Sequence, residues 1–144
     1  MSVIELLAKI TERGASDIFI VAGLPLSYKL HGKIENEGEK MMPTDTLEMI
    51  TELYNIADGR DMKRLNEAGD DDFSFAIKGI ARFRMNAYKQ RGSLSAVIRV
   101  ITFQVPKAED LGIPSSIMEF AEKKKGFVLI TGPAGSGKST TLAY

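Results

Sequence analysis

The chain contains no cysteine and no tryptophan, and its only histidine is His31. Without cysteine there can be no disulfide and no thiolate metal site, and a reducing compartment fits. With a single histidine, neither a zinc cluster of the Cys/His kind nor a Ser-His-Asp triad can be assembled. His31, beside Gly32, reads as a surface residue at a strand end. Charge of one sign is lacking as well, since 19 lysines and arginines balance 19 aspartates and glutamates. Composition thus gives no reason to expect nucleic acid or an anionic membrane as a partner. No apolar run approaches the ~20 residues a membrane span needs. Glu5, Lys9 and Glu12 interrupt the N-terminus in a way a signal peptide does not. A cytoplasmic location is expected by elimination.

What is present is strong periodicity. Val3, Ile4, Leu6, Leu7 and Ile10 recur at helical spacing, Ser2 and Glu5 can form a capping box, and Gly14 can end the helix. Short strands are expected at Asp17–Ala22, Leu26–Leu30 and Lys33–Glu35, with a polar loop from Asn36 to Lys40. Pro43-Thr44-Asp45 opens a helix carrying Leu47, Ile50, Leu53 and Tyr54 on one face. A second helix places Met62 and Leu65 inward and ends at Gly69. Asp70-Asp71-Asp72 could suggest a metal site, but adjacent strand residues alternate faces, and a solvated strand entry fits the run better. Phe73, Phe75 and Ile77 then alternate with Ser74 and Ala76. Two further strands, Ile80–Tyr88 and Ser93–Ile101, are joined by Lys89-Gln90-Arg91-Gly92. Pro106 and Pro114 mark a linker. A helix is expected over Ile113–Lys124, with Ile117, Phe120 and Ala121 inward. Lys123-Lys124-Lys125 would close it at the negative end of its dipole, a phosphate patch being the alternative.

The plainest chemical signal is G-P-A-G-S-G-K-S at 132–139, the phosphate-loop pattern G-x-x-x-x-G-K-[ST]. The apolar run Gly126–Thr131 before it is expected to be a buried strand, and Ser139–Ala143 can begin a helix. Glycines at 132, 135 and 137 let the backbone curl so that successive N–H groups point at one anion. Gly132, Pro133, Ala134, Gly135, Ser136, Gly137, Lys138, Ser139 and Thr140 are therefore the candidate nucleotide-binding residues. Lys138 would reach the β- and γ-phosphates of ATP, and the Ser139 hydroxyl would serve Mg²⁺.

A second signal lies on the last strand pair. Arg82, Arg84 and Asn86 share one face of their strand, and Arg99 lies on the corresponding face of the next. A loop symmetric about Gln90-Arg91 would set 82 opposite 99, with Arg84 on the diagonal. Like charges so placed weaken pairing, which makes sense if an anion sits above them; arginine's planar fork suits that task. A solvated face, or pairing with Asp and Glu on a neighbouring helix, accounts for the pattern equally well. The pairing register decides between these geometries.

Several segments occur together in order: S-D-I-F-I at 16–20, G-L-P-L at 23–26, G-K-I at 32–34, R-F-R-M-N at 82–86, Q-R-G at 90–92, V-I-R-V-I at 97–101 and L-G-I-P at 111–114. They are followed by G-F-V-L-I-T-G-P-A-G-S-G-K-S-T-T-L-A at 126–143. With these the chain resembles the N-terminal part of the type IV pilus retraction ATPases, the PilT-like twitching-motility branch of the type II/IV secretion ATPase superfamily. The resemblance implies an α+β fold: a PAS-like domain with an antiparallel sheet at 1–103, a linker at 104–112, and the start of a RecA-like P-loop domain at 113–144. It also implies a hexameric ring at the cytoplasmic face of the inner membrane, which it reaches only through a pilus platform protein. Family arginines that reach the γ-phosphate match Arg84 and Arg99, with Arg82 a third, in an arginine-finger role. Two positions depart from the family: histidine is frequent where Phe19 stands, and threonine where Ala134 stands. The family's catalytic glutamate, Walker B segment and histidine box are expected beyond Tyr144, leaving the present chain catalytically incomplete. Two other readings are open, a non-catalytic PAS-like module with a vestigial loop and an unrelated P-loop NTPase.

Overall fold

Helix α1 (Val3–Glu12) begins where Ser2 and Glu5 cap each other: the Glu5 amide donates to Ser2 Oγ at 3.2 Å, and the Ser2 amide to Glu5 Oε2 at 2.8 Å. This satisfies two N–H groups that a helix start otherwise leaves unpaired. Helix α2 (Pro43–Ile56) starts with proline in the first turn and with Asp45 accepting from the Met42 amide at 2.6 Å. Helix α3 (Lys63–Ala68) ends on Gly69, whose left-handed backbone closes it. The computed structural model describes residues 2–101, 108–109, 111–133 and 136–143. It divides into two compact units, Met1–Phe103 and Gln104–Tyr144.

In the first unit, β1 (Asp17–Ile20), β2 (Leu26–Leu30), β3 (Lys33–Glu37), β4 (Asp70–Ile77), β5 (Ala81–Gln90) and β6 (Ser93–Ile101) form one six-stranded sheet in the order β3-β2-β1-β6-β5-β4. Every neighbouring pair is antiparallel. The expected α+β class with an antiparallel sheet is therefore present. Alternation does the sorting: Ile18, Ile20, Tyr28, Phe73, Phe75, Phe83, Met85 and Ile98 turn inward, where they meet Leu7, Ile10, Ile50, Leu53 and Tyr54 of the helices. Tyr54, Phe73, Phe75 and Phe83 make a continuous aromatic chain, with successive centroids 4.8, 6.2 and 5.3 Å apart. The opposite face of β4, β5 and β6, which carries Asp72, Arg84 and Arg99, turns away from the core that the sheet forms with α1, α2 and α3.

Several expectations need correction. The strand at 17 ends at Ile20, and β3 runs on to Glu37, because Asn36 and Glu37 pair with Ser27 and Leu26. On α2 the inward position belongs to Thr46, which is fully buried, and Leu47 is exposed; the buried set 46, 50, 53, 54 forms one helical stripe, and Leu47 lies at its edge, toward the solvent side. Ile80 lies in the β4–β5 turn. Asp71 is no solvated strand entry but is fully buried, since it shares the inward parity of Phe73 and Phe75.

The second unit differs more. The helix expected over Ile113–Lys124 is a short α4 (Ser115–Met118) continued by a 3₁₀ turn, Glu119–Glu122, with Phe120 exposed. Gly126–Thr131 forms no strand, and Phe127 is 86% and Leu129 71% exposed. A buried strand of this kind exists only through neighbours that take its hydrogen bonds and cover its faces, and the described residues of this unit contain none. Helix α5 (Lys138–Leu142) follows the glycine loop directly. Much of the expected linker, including Pro106, and both Ala134 and Gly135 lie outside the described residues.

Candidate functional site

The strand pair β5–β6 turns on two residues, Arg91 and Gly92, both with positive φ (49° and 80°). A type I′ turn requires this, and it matches the twist of the flanking strands. The short turn sets the register: Gln90 faces Ser93, and Arg84 faces Arg99 directly. Arg82 stands opposite Ile101 instead of Arg99. The expected pairing is thus corrected by one step of two residues, which leaves every side chain on its anticipated face and changes only its partner.

Across the sheet, one row runs Lys29, Asp17, Arg99, Arg84, Ser74. Arg84 binds Asp72 through both ends of its fork, Nε to Oδ1 at 3.1 Å and Nη2 to Oδ2 at 2.7 Å. Arg99 reaches Asp17 Oδ1 with Nε alone, at 3.3 Å. The carboxylates come from β1 and β4, the strands flanking the hairpin, and not from a helix. Both guanidinium groups face solvent, at 63% and 71% side-chain exposure. The hydrogen bonds from Arg84 hold the Asp72 carboxyl below the usual carboxylate range. Asp17, Asp72, Arg84, Asn86, Val97 and Arg99 line a shallow cavity of about 280 Å³. Arg82 lies on the same face and makes no ion pair among the described residues.

Sequence reasoning missed Asp17 and Asp72 as arginine partners. The parity of each strand gives their face, and only the strand order shows that they flank the hairpin. It also missed the buried cluster on the other face. There Tyr54 Oη donates to Asp71 Oδ2 at 3.0 Å, and Arg60 grips the same carboxylate with Nε and Nη2 at 2.8 and 2.9 Å.

In the second unit the described ends of the glycine loop are in contact. Lys138 Nζ donates to the Pro133 carbonyl at 2.5 Å. A Cβ on residue 132 would stand 2.7 Å from Ser136 Oγ, so a larger residue there would require the Ser136 side chain to turn away. Gly137 takes the left-handed conformation at the entry to α5, and the Ser139 and Thr140 side chains are exposed. An amine and two hydroxyls are donors that suit a phosphate group, and a serine hydroxyl suits a hard divalent cation.

Among the described residues no helix is long and apolar enough to cross a membrane. Residues 2–144 match the family model described as Type II/IV secretion system protein. Over 143 residues the chain is 38% identical to the type IV pilus retraction ATPase PilT of Pseudomonas aeruginosa, covering 99% of this chain and 41% of that protein. It is 34% identical over 143 residues to the twitching motility protein of Neisseria gonorrhoeae, with 99% and 37% covered. Among solved structures it resembles the pilus retraction motor PilT with bound ADP, at a TM-score of 0.75 and 36% identity, covering 99% of this chain and 41% of that one. The chain thus spans about two fifths of the length of the relatives it matches. The antiparallel sheet, the paired arginines and the glycine loop occur in a sequence that matches one family model almost from end to end, and the chain belongs to the type II/IV secretion system protein family.

Proposed function

We propose that the chain is the N-terminal part of a hexameric motor that couples ATP hydrolysis to type IV pilus retraction. The observation that carries this reading is the likeness to a pilus retraction ATPase along 99% of the chain, arginine hairpin and glycine loop included. The solved relative named for pilus retraction holds ADP, which supports a nucleotide as the ligand of the loop. In this reading 1–103 is a PAS-like domain, 104–112 a linker and 113–144 the beginning of a RecA-like P-loop domain. The protein works in the cytoplasm at the inner face of the membrane, attached through a pilus platform protein.

Gly132, Pro133, Ala134, Gly135, Ser136, Gly137, Lys138, Ser139 and Thr140 make up the Walker A loop. To bind, Lys138 leaves the Pro133 carbonyl and places its ammonium against the β- and γ-phosphates, and Ser139 turns its hydroxyl toward Mg²⁺. Mg²⁺, held by the Ser139 hydroxyl, would supply positive charge against the charge developing on the transferred group. Arg84 and Arg99, with Arg82 beside them, supply fixed positive charge to the γ-phosphate, which stabilises the transition state more than the bound nucleotide.

The test uses the full-length protein. Arg84→Ala and Arg99→Ala should leave ATP affinity within a few fold of the parent and lower turnover by about 10³-fold, the scale of a lost arginine finger. Lys138→Ala should instead abolish nucleotide binding, measured with a fluorescent ATP analogue. Unchanged turnover in both arginine variants would overturn the assignment.

A further inference from the structure

Each hairpin arginine already has an anionic partner. Two guanidinium groups at directly opposed positions repel each other, and the flanking carboxylates of Asp17 and Asp72 offset that repulsion. The quartet Asp17, Arg99, Arg84, Asp72 runs from one side of the hairpin to the other in the order minus, plus, plus, minus. A guanidinium fork presents to a phosphate the same donors it presents to a carboxylate. The Nε–Nη2 edge of Arg84 cannot serve both at once, and only its outer Nη donors are left for a second anion. Arg99, by contrast, uses Nε alone and has both Nη groups open to solvent.

We propose that Asp72 and Asp17 are positioning residues: they hold the Arg84 and Arg99 forks across the face of the sheet that turns away from the core and compete with a polyphosphate anion for the Nε edge of each fork. This rests on the reading of the hairpin as a phosphate contact. The two ion pairs are unequal, and so are the two exchanges. Arg99 can take an anion on its Nη groups while Nε keeps Asp17. Arg84 offers an anion only its remaining Nη donors until it surrenders Asp72. Full engagement of Arg84 therefore follows that of Arg99, with Asp72 as the anion that competes for its Nε–Nη2 edge. Arg82, on the same face, adds attraction without a competitor among the described residues.

The 144-residue chain is titrated with inorganic tripolyphosphate, and binding is followed by ¹⁵N NMR at the side-chain Nε–H signals of Arg84 and Arg99. These signals report locally, whatever the glycine loop binds. Asp72→Asn should tighten the response at Arg84 by about two- to fivefold, the range set by a solvent-exposed ion pair. Asp17→Asn should tighten the response at Arg99 less, and Asp72→Glu should restore the parent affinity. Asp70→Asn is the control. It removes an equal charge from the same strand and face without touching either arginine, so it should change affinity less than Asp72→Asn does. If Asp70→Asn tightens binding as much as Asp72→Asn, or if neither Asp72→Asn nor Asp17→Asn tightens it, the competition is wrong. The phosphate reading then still stands, provided Arg99→Ala weakens the response at Arg84. If neither arginine signal responds in the parent or in Asp72→Asn, the phosphate reading of the hairpin fails together with the competition.

Discussion

Asp71 carries the molecule's one fully buried charge among the described residues. Its carboxylate is gripped by Arg60 and accepts from Tyr54, with Arg64 Nε 3.7 Å away and the Arg60 guanidinium 4.6 Å from the centre of the Phe73 ring. The Arg60 hydrogen bonds, opposed by burial, hold the Asp71 carboxyl below its ordinary range. Burial, followed by the bond to Asp71, pushes the Tyr54 phenol well above its ordinary value. Asp71→Asn should cost about 2 kcal/mol, less than the roughly 3–5 kcal/mol of a wholly buried broken pair, because Arg60 reaches solvent. The sign with pH follows. A depressed folded pKa gives stability that is complete above the unfolded value of about 3.9 and is lost as pH falls through the folded one. Urea midpoints of parent and Asp71→Asn should therefore lie well apart at pH 7 and draw together below pH ~4. A gap that persists at low pH would show that the cost comes from packing instead of charge. Asp71 was hidden in the sequence between two exposed aspartates. Parity with Phe73 and Phe75 marked it as inward, but Tyr54 and Arg60 come from a helix and a turn whose approach no local pattern reveals.

At the scale of the element, the hairpin depends on its two-residue turn. Gly92 has φ 80°, with open space where a Cβ would stand. A substitution there meets backbone strain without a clash. Gly92→Ala should lower stability by about 1 kcal/mol, read from the thermal or urea midpoint. Because Arg84 faces Arg99 only in the register this turn sets, the variant should also shift both arginine Nε–H signals; a midpoint change with those signals unmoved would separate turn strain from register. The faces of β5 and β6 were legible because period two survives any even slip. The register was not, since a four-residue loop and a two-residue turn fit the same letters. Helix α2 shows the same limit, as Leu47 is apolar but lies at the edge of the buried stripe, while Thr46 lies nearer its centre and is buried. Gly126–Thr131 has strand composition without strand structure, because a buried strand is a property of its neighbours as much as of itself.

For the molecule as a whole, the apolar side chains divide unevenly. The first unit has a continuous buried core, whereas Phe120, Phe127, Val128, Leu129 and Leu142 of the second are exposed. Opening free energy follows buried apolar contact. Thermolysin, which favours apolar side chains, should therefore cut in 113–143 well before it cuts in 2–101, leaving a resistant N-terminal fragment visible by mass spectrometry. Early cleavage inside the sheet would contradict this. The strand order has a further consequence. Strands β1–β3 and β4–β6 are each a run of sequential hairpins, and they meet only along β1 and β6, where Arg99 reaches Asp17 across 82 residues of sequence. Local hairpins close in microseconds, whereas distant pairings must first overcome loop-closure entropy. The seam between the halves is therefore the late event of folding, and both the Asp17–Arg99 pair and the cavity beside it come into being only with that event. A nascent chain that has made every hairpin but has not closed this seam would hold Arg84 and Asp72 together and still have no complete arginine site.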